Sequence, residues 1–322
     1  MALTQVDQGL LSSTAQYTGF KNRLINGAFN VWQRGTTFSV SGANYYWADR
    51  WTNASNGYTA TRSTDVPTGM AQYSADITTV STNLGSIVQR IEAANCADLV
   101  GQNVTVSFYA KAVSGGGSNG LNVRLDYANS ADTFSSTTAI AQVQIATTTS
   151  SSWTKYSYTY TNLPSGAANG LMLYIFADIN TATDYRYTLI QLEKGSVATS
   201  FDYRPYGTEL ALCQRYYMQF GTTSAYEHFG IGVVQTGQST QIMNLPITMR
   251  AAPTFSYTAS SLSNFVVYDG TVASSPSSIS IDVAAPNVCS LAIVVAGLTI
   301  GRATRFYRNN TNQATLIYSA EL

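Results

Sequence analysis

The sequence predicts a mainly β protein: a jelly-roll-like β-sandwich, a short helical junction, then a second, smaller C-terminal β domain. Three observations predict it. Short stretches alternate apolar and polar residues with period two, β-branched and aromatic residues fill them, and Gly-, Ser- and Asn-rich separators stand between them. Many short strands without intervening helices argue a sandwich, whose two sheets supply the core that one sheet lacks. A length of 322 residues allows about two domains.

Residues 1–21 are polar with scattered Leu and no sustained period, and read as an extended attachment arm that a partner would order. Residues 22–205 form the predicted sandwich. In Val104–Ala110, Val104, Val106, Phe108 and Ala110 face one way and Thr105, Ser107 and Tyr109 the other. Leu121–Tyr127 repeats the scheme, with Asn122, Arg124 and Asp126 on the solvated face. Further strands are predicted at Ile87–Ala93, Ala141–Thr147, Trp153–Thr161, Leu171–Ala177 and Tyr185–Leu192, separated by turn chemistry at Ser114–Gly120, Asn129–Asp132 and Pro164–Gly170.

Residues 206–220 break the pattern. In Thr208–Phe220, Leu210, Cys213, Tyr217 and Phe220 fall at helical spacing, Thr208 suits an N-cap, and Glu209 complements the helix dipole. Residues 221–322 return to strands at Gln241–Thr248, Thr254–Thr258, Phe265–Tyr268, Ser278–Val283, Ser290–Ile300, Arg305–Tyr307 and Thr315–Tyr318. Pro246, Pro253, Pro276 and Pro286 mark edges or turns there.

Charge narrows the function. Charged residues make up 11% of the chain, and 17 Lys+Arg balance 17 Asp+Glu. The field that collects nucleic acid or an anionic membrane is missing, so neither partner is expected. No run reaches the ~20 apolar residues of a membrane span; the strongest, Ser290–Ile300, is interrupted at Gly297 and reads as a buried strand. The first residues carry no Sec-type signal pattern, so synthesis in a cytoplasm is expected. Cys96, Cys213 and Cys289 are odd in number and His228 is the single histidine, which argues for buried thiols and neither a disulfide framework nor a zinc site.

Catalytic patterns are mostly absent. Gly115–Gly120 (GGGSNG) spells a glycine-rich phosphate or nucleophile motif, yet it leads into an alternating strand where both motifs need a helix, so it reads as a hairpin loop. His228 has no identifiable nucleophile, and the acids, among them Asp178, Asp184, Asp202, Asp269 and Asp282, show no local pairing. Asp178–Asp184 lacks the glycine and terminal glutamate of a calcium loop. No catalytic residue, metal ligand or cofactor is therefore assigned. A surface of Tyr, Ser, Thr and Asn suits neutral, hydroxyl-rich partners. The exposed candidates for glycan or receptor contact are Tyr226, His228, Phe265, Tyr268 and Asp269, with Tyr45, Tyr46 and Trp47 in a loop-like run.

One ordered set of segments resembles a known family. Asn22–Gly35 (NRLINGAFNVWQRG), Ala48–Trp51 (ADRW), Val88–Ile91 (VQRI), Val106–Lys111 (VSFYAK), Gln191–Gly195 (QLEKG), Phe201–Arg204 (FDYR) and Glu209–Tyr217 (ELALCQRYY) follow one another as in the β-rich module of tail fibre and related receptor-binding or virion structural proteins of tailed bacteriophages. Leu245–Pro253 and Thr315–Leu322 resemble the C-terminal part of such proteins. The resemblance implies a jelly roll similar to carbohydrate-binding modules, a homotrimer, a tail or baseplate partner for residues 1–21, and a distal domain that meets host surface polysaccharide. It casts Trp32, Arg34, Asp49, Arg50, Trp51, Gln89 and Arg90 as scaffold with at least one Asp–Arg pair, and Arg215, Tyr216 and Tyr217 as a trimer junction. The alternatives from other classes are a structural baseplate or capsid decoration component and a glycan depolymerase.

Overall fold

A computed structural model describes residues 20–55, 57–79, 85–114, 120–177, 184–221, 224–310 and 314–322. Residues 1–19 of the predicted arm and most of the Gly115–Gly120 and Asp178–Asp184 loops lie outside these residues. The chain divides into two compact units, the first running to Pro205 and including Leu322, the second spanning Tyr206–Glu321.

In chain order the first unit contains β1 (Thr37–Val40), β2 (Tyr58–Ser63), β3 (Ser74–Thr79), β4 (Ile87–Ile91), β5 (Val104–Ser114), β6 (Leu121–Ser130), β7 (Thr133–Ala146), β8 (Thr154–Tyr160), β9 (Leu171–Ala177) and β10 (Asp184–Lys194). They make two antiparallel sheets, β1-β2-β3-β10-β5-β8 and β4-β9-β6-β7. The alternation dictates the packing: Val104, Val106, Phe108 and Ala110 of β5 share one core with Leu121, Val123 and Leu125 of β6 and Leu171, Leu173 and Ile175 of β9. At one end Phe29 lies 5.8 Å from Trp47 and 5.2 Å from Trp51, ring centre to ring centre. Trp47, placed among the exposed loop aromatics by sequence, is fully buried there.

The sheets also differ from expectation. β1, β2 and β3 were not predicted, since their Thr, Ser and Asp residues hide the period. β7 runs 14 residues, twice the expected length, because its Thr- and Ser-rich first half is an edge strand with little burial contrast. Asp126, expected on a solvated face, is completely buried.

The second unit contains α1 (Tyr206–Gln214), β11 (Tyr217–Phe220), β12 (His228–Gln235), β13 (Gln238–Asn244), β14 (Thr254–Thr258), β15 (Phe265–Tyr268), β16 (Ala273–Ser274), β17 (Ser278–Ala284), β18 (Val288–Val294), β19 (Ala303–Arg308) and β20 (Thr315–Ser319). A seven-stranded sheet, β16-β15-β19-β12-β13-β18-β17, and a three-stranded sheet, β11-β20-β14, enclose Met218, Met243, Phe265, Leu291, Phe306, Leu316 and Tyr318.

The helix is shorter than its period suggested. Tyr217–Phe220 pairs with Leu316–Ser319, because adding a strand buries Tyr217 and Met218 in a sheet. Thr208 lies inside the helix and is not its N-cap. Residues 206–220 are thus a helix and a strand of the second unit. β12 escaped prediction because Gly230 and Gly232 interrupt its apolar pattern. The Ser290–Ile300 run leaves the sheet after Val294 and turns at Gly297, whose φ of 83° is the left-handed conformation glycine adopts freely. No helix among the described residues is long and apolar enough to cross a membrane.

Candidate functional site

The segments that carry the family resemblance in the first unit are joined by hydrogen bonds. Asn22 donates to the Ile190 carbonyl (3.0 Å) and accepts from the Leu24 (3.0 Å) and Leu192 (3.1 Å) amides, standing in for a strand neighbour beside β10. Asp202 accepts from the Lys21 and Asn22 amides, and Arg204 donates to the Asn22 and Leu24 carbonyls. Gln89 and Ile25 exchange two bonds. Asn26, at φ 58°, donates to the carbonyls of Val31 (2.8 Å) and Asp49 (3.0 Å), and its own carbonyl accepts from Trp51 Nε1 (2.9 Å).

The buried Asp49 carboxylate takes the Gln33 amide (2.7 Å) and side chain (2.6 Å), and pairs with Arg34 at 3.8 Å, the expected Asp–Arg pair. Arg50 donates to the Arg90 carbonyl (2.7 Å), Trp32 Nε1 to the Phe29 carbonyl (2.6 Å), and Arg90 to Asn44. Most of these polar groups bond to backbone or to other side chains of the first unit, as buried polar groups require. Arg215, Tyr216 and Tyr217 serve the second unit in the same manner: the Arg215 carbonyl accepts from Arg250 N (2.8 Å), the Tyr216 carbonyl accepts from Ala320 N (2.7 Å), and Tyr217 lies in β11.

The five contact candidates separate. Phe265 is fully buried and packs on Phe306 and Phe229, so its place on an exposed site is corrected: alternation in β15 turns it inward. Asp269 is also internal. Its carboxylate accepts from the amides of Thr271 (2.9 Å), Val272 (2.7 Å) and Thr299 (3.0 Å), and these backbone bonds hold its pKa well below the usual carboxylate range. It ties two turns together through these amides.

Tyr226, His228 and Tyr268 remain at the surface. β19 joins the last two, with His228 against the Tyr307 ring (5.2 Å) and the Arg305 guanidinium over the Tyr268 ring (4.9 Å). Arg305 and Tyr307 were missed because the Ala303–Arg308 strand carries no turn or motif signal.

A second surface was not singled out by sequence. On the face of the β4-β9-β6-β7 sheet away from the core, register aligns Val88, Tyr174, Arg124 and Gln142 in one row. The flanking rows align Arg90, Met172, Asp126 and Ala139 on one side, and Phe176, Asn122 and Gln144 on the other. Arg124 forks onto Asp126 with two bonds of 2.7 Å, Thr137 donates to the same carboxylate (3.0 Å), and the guanidinium lies 5.2 Å from the Tyr174 ring centre. The bond to Asp126 raises the Arg124 pKa. Burial, then the Asp126 charge, raises the Tyr174 phenol, which therefore stays a neutral donor. Asn122 is buried on this face, and its Nδ2 has no hydrogen-bond partner among the described residues.

The face thus offers an aromatic ring, a fixed guanidinium and the exposed Gln142 and Gln144 side chains, with the Arg124–Asp126 pair neutralised internally. The signal that could have found it was the Arg124-x-Asp126 pair on one side of an alternating strand.

Among the other acids, Asp65 and Asp76 share Arg186 on the outer face of the six-stranded sheet, beside Lys111 and Trp153. Burial would raise Asp65, but its bonds from Lys111, Trp153 and Arg186 hold it low, whereas burial outweighs Arg186 at Asp76 and raises it. No cluster of three or more His, Cys, Asp or Glu able to hold a metal ion occurs among the described residues.

No protein-family profile matches this sequence, and no curated protein matches it. Solved structures do. The chain is similar to the CBM22-1 xylan-binding domain of Xyn10C from Paenibacillus barcinonensis, at 17% identity and a TM-score of 0.36, over 56% of this chain and 97% of that one. It is similar to the enzymatically active domain of tailspike protein 4 of bacteriophage CBA120, at 16% identity and a TM-score of 0.37, over 54% of this chain and 21% of that one. It is also similar to the CBM22-1-GH10 modules of Xyn10B from Clostridium thermocellum, at 14% identity and a TM-score of 0.33, over 53% of this chain and 29% of that one.

Proposed function

We propose that this chain is a non-enzymatic receptor-binding protein of the tail-fibre kind found in tailed bacteriophages, and that it holds a neutral host-surface glycan on the Tyr174–Arg124–Gln142 face of its first unit. Residues 1–21 dock it on the tail or baseplate, and three copies act together, so that three weak sites give avidity. The observation that carries the glycan reading is the chemistry of that face. A flat ring suits the C–H side of a sugar, while the guanidinium and the exposed amides of Gln142 and Gln144 suit its hydroxyls. The contact surface expected in the second unit gives way to this face because Phe265 and Asp269 are internal.

Titration of the full chain with purified host surface polysaccharide, by calorimetry or affinity electrophoresis, tests the reading. Binding that Tyr174→Ala and Gln142→Ala weaken supports it. Absence of binding at any accessible concentration, with the chain folded, leaves a structural virion component, and shortening of the glycan in a reducing-end assay leaves a depolymerase.

A further inference from the structure

The outer face of the seven-stranded sheet in the second unit has an order that the glycan reading does not use. Its central row, read across the strands, is Tyr268 on β15, Arg305 on β19, Ile231 on β12, Ile242 on β13, Ser290 on β18 and Val283 on β17. The two isoleucines and Val283 are 72%, 47% and 60% exposed. A β-branched pair lying bare in the middle of a sheet is apolar surface that solvent does not favour.

The ends of the row carry opposite charge. At one end the Arg305 guanidinium rests on the Tyr268 ring at 4.9 Å. At the other, the exposed Asp282 accepts from Ser290 Oγ at 3.1 Å, which places its carboxylate on this same face. The adjoining row, Ala303, Val233, Thr240, Ala292 and Ser280, is small and uncharged.

From these features we infer that a second copy of this chain packs face to face on this sheet, with its strand order reversed. A two-fold axis parallel to the strands, running between β12 and β13, maps the row onto itself backwards. Ile231 then meets the partner's Ile242. The Arg305–Tyr268 pair meets the partner's Asp282–Ser290 pair, and this happens twice because the contact is isologous.

A second copy matches both ends and the centre at once, whereas a uniformly acidic or basic partner would satisfy one end and leave the other unmatched. The size is also right. Strand spacing and rise give six strands of this face a footprint of about 600 Å2, against the ~800 Å2 per partner of a standard interface. Sheets so stacked lie about 10 Å apart, the separation that interdigitating Ile and Val side chains fill. The pairing is two-fold and independent of the three-copy grouping above; a chain that does both assembles in sixes.

Sedimentation equilibrium of the full chain across a concentration series tests this, with circular dichroism to show each variant folded. An even number of copies is expected, and Ile231→Asp with Ile242→Asp should raise the dissociation constant by at least about tenfold by placing like charges opposite one another. Arg305→Asp and Asp282→Arg should each weaken pairing, and the two together should restore it. Within one chain these residues are four strands apart, about 19 Å, beyond the screening length of ~8 Å, so rescue reports a contact between copies. A mass of one copy at all concentrations, a three-copy mass that the isoleucine variants leave unchanged, or a double charge variant no better than the singles would overturn the inference. Glycan binding on the first unit is read separately in the same variants, so either proposal can fail alone.

Discussion

Gln89 binds both backbone polar groups of Ile25: its Oε1 accepts from the Ile25 amide at 2.7 Å and its Nε2 donates to the Ile25 carbonyl at 2.8 Å. A side-chain amide here substitutes for a strand neighbour and fastens the segment that follows Lys21. Gln89→Ala leaves both backbone groups without this partner, a cost of about 1–3 kcal/mol. The expected outcome is a fall in the melting temperature of the first unit of about 3–10 °C, measured by calorimetry. Gln89→Glu, which keeps the acceptor and loses the donor, should be destabilising as well.

Asp269 predicts acid sensitivity of the second unit. Its folded pKa lies below the ordinary value because three backbone amides donate to the ionised form. Stability from a depressed carboxylate is complete above the unfolded pKa, near 4, and is lost as pH falls toward the folded one. Asp269→Asn therefore melts below the unmodified chain at pH 7, and the gap between the two narrows as pH drops beneath about 4. A gap that stays constant with pH would assign the effect to shape alone.

The ion pair on the four-stranded sheet separates stability from binding. Arg124→Ala strips the cation from a fully buried Asp126 and should cost about 3 kcal/mol, whereas Gln142→Ala, on an exposed side chain of the same row, should shift stability by less than about 0.5 kcal/mol. Loss of glycan binding in the glutamine variant at unchanged melting temperature is the expected signature of a contact residue.

The thiols should be silent in the native chain. Cys96, Cys213 and Cys289 are all buried, and burial pushes the Cys96 thiol up to about 12. Titration with an aromatic disulfide at pH 8 is expected to find no fast-reacting thiol until denaturant is added, and then all three.

How far the sequence could be read depended on which force set each element. Where burial alternates with residue type, as in Thr315–Ser319, period two locates the strand to within a residue, and Leu171–Ala177, buried on both faces, shows as a continuous apolar run between turns. Where a strand is an edge or carries Thr and Ser on both sides, as in Thr37–Val40 and the first half of Thr133–Ala146, there is no hydrophobic contrast to find. Tyr217–Phe220 satisfied helical spacing and still became a strand, because its partner, Thr315–Ser319, is about a hundred residues away and invisible to local pattern. The candidate site failed for a related reason. Exposure of Phe265 or Asp269 depends on which way a short strand turns and which amides a turn presents, and neither is encoded in residue type.

The position of β20 has a consequence for synthesis. It is the middle strand of the three-stranded sheet, with β11 on one side and β14 on the other, and Leu316 and Tyr318 on it reach into the core. A nascent chain that has exposed everything up to residue 310 holds two strands with an empty lane between them. The first unit can close while translation continues; the second must wait for Ser319 to emerge. A frameshift or stop between residues 310 and 319 would therefore release a molecule whose first unit can fold while its second unit keeps open strand edges.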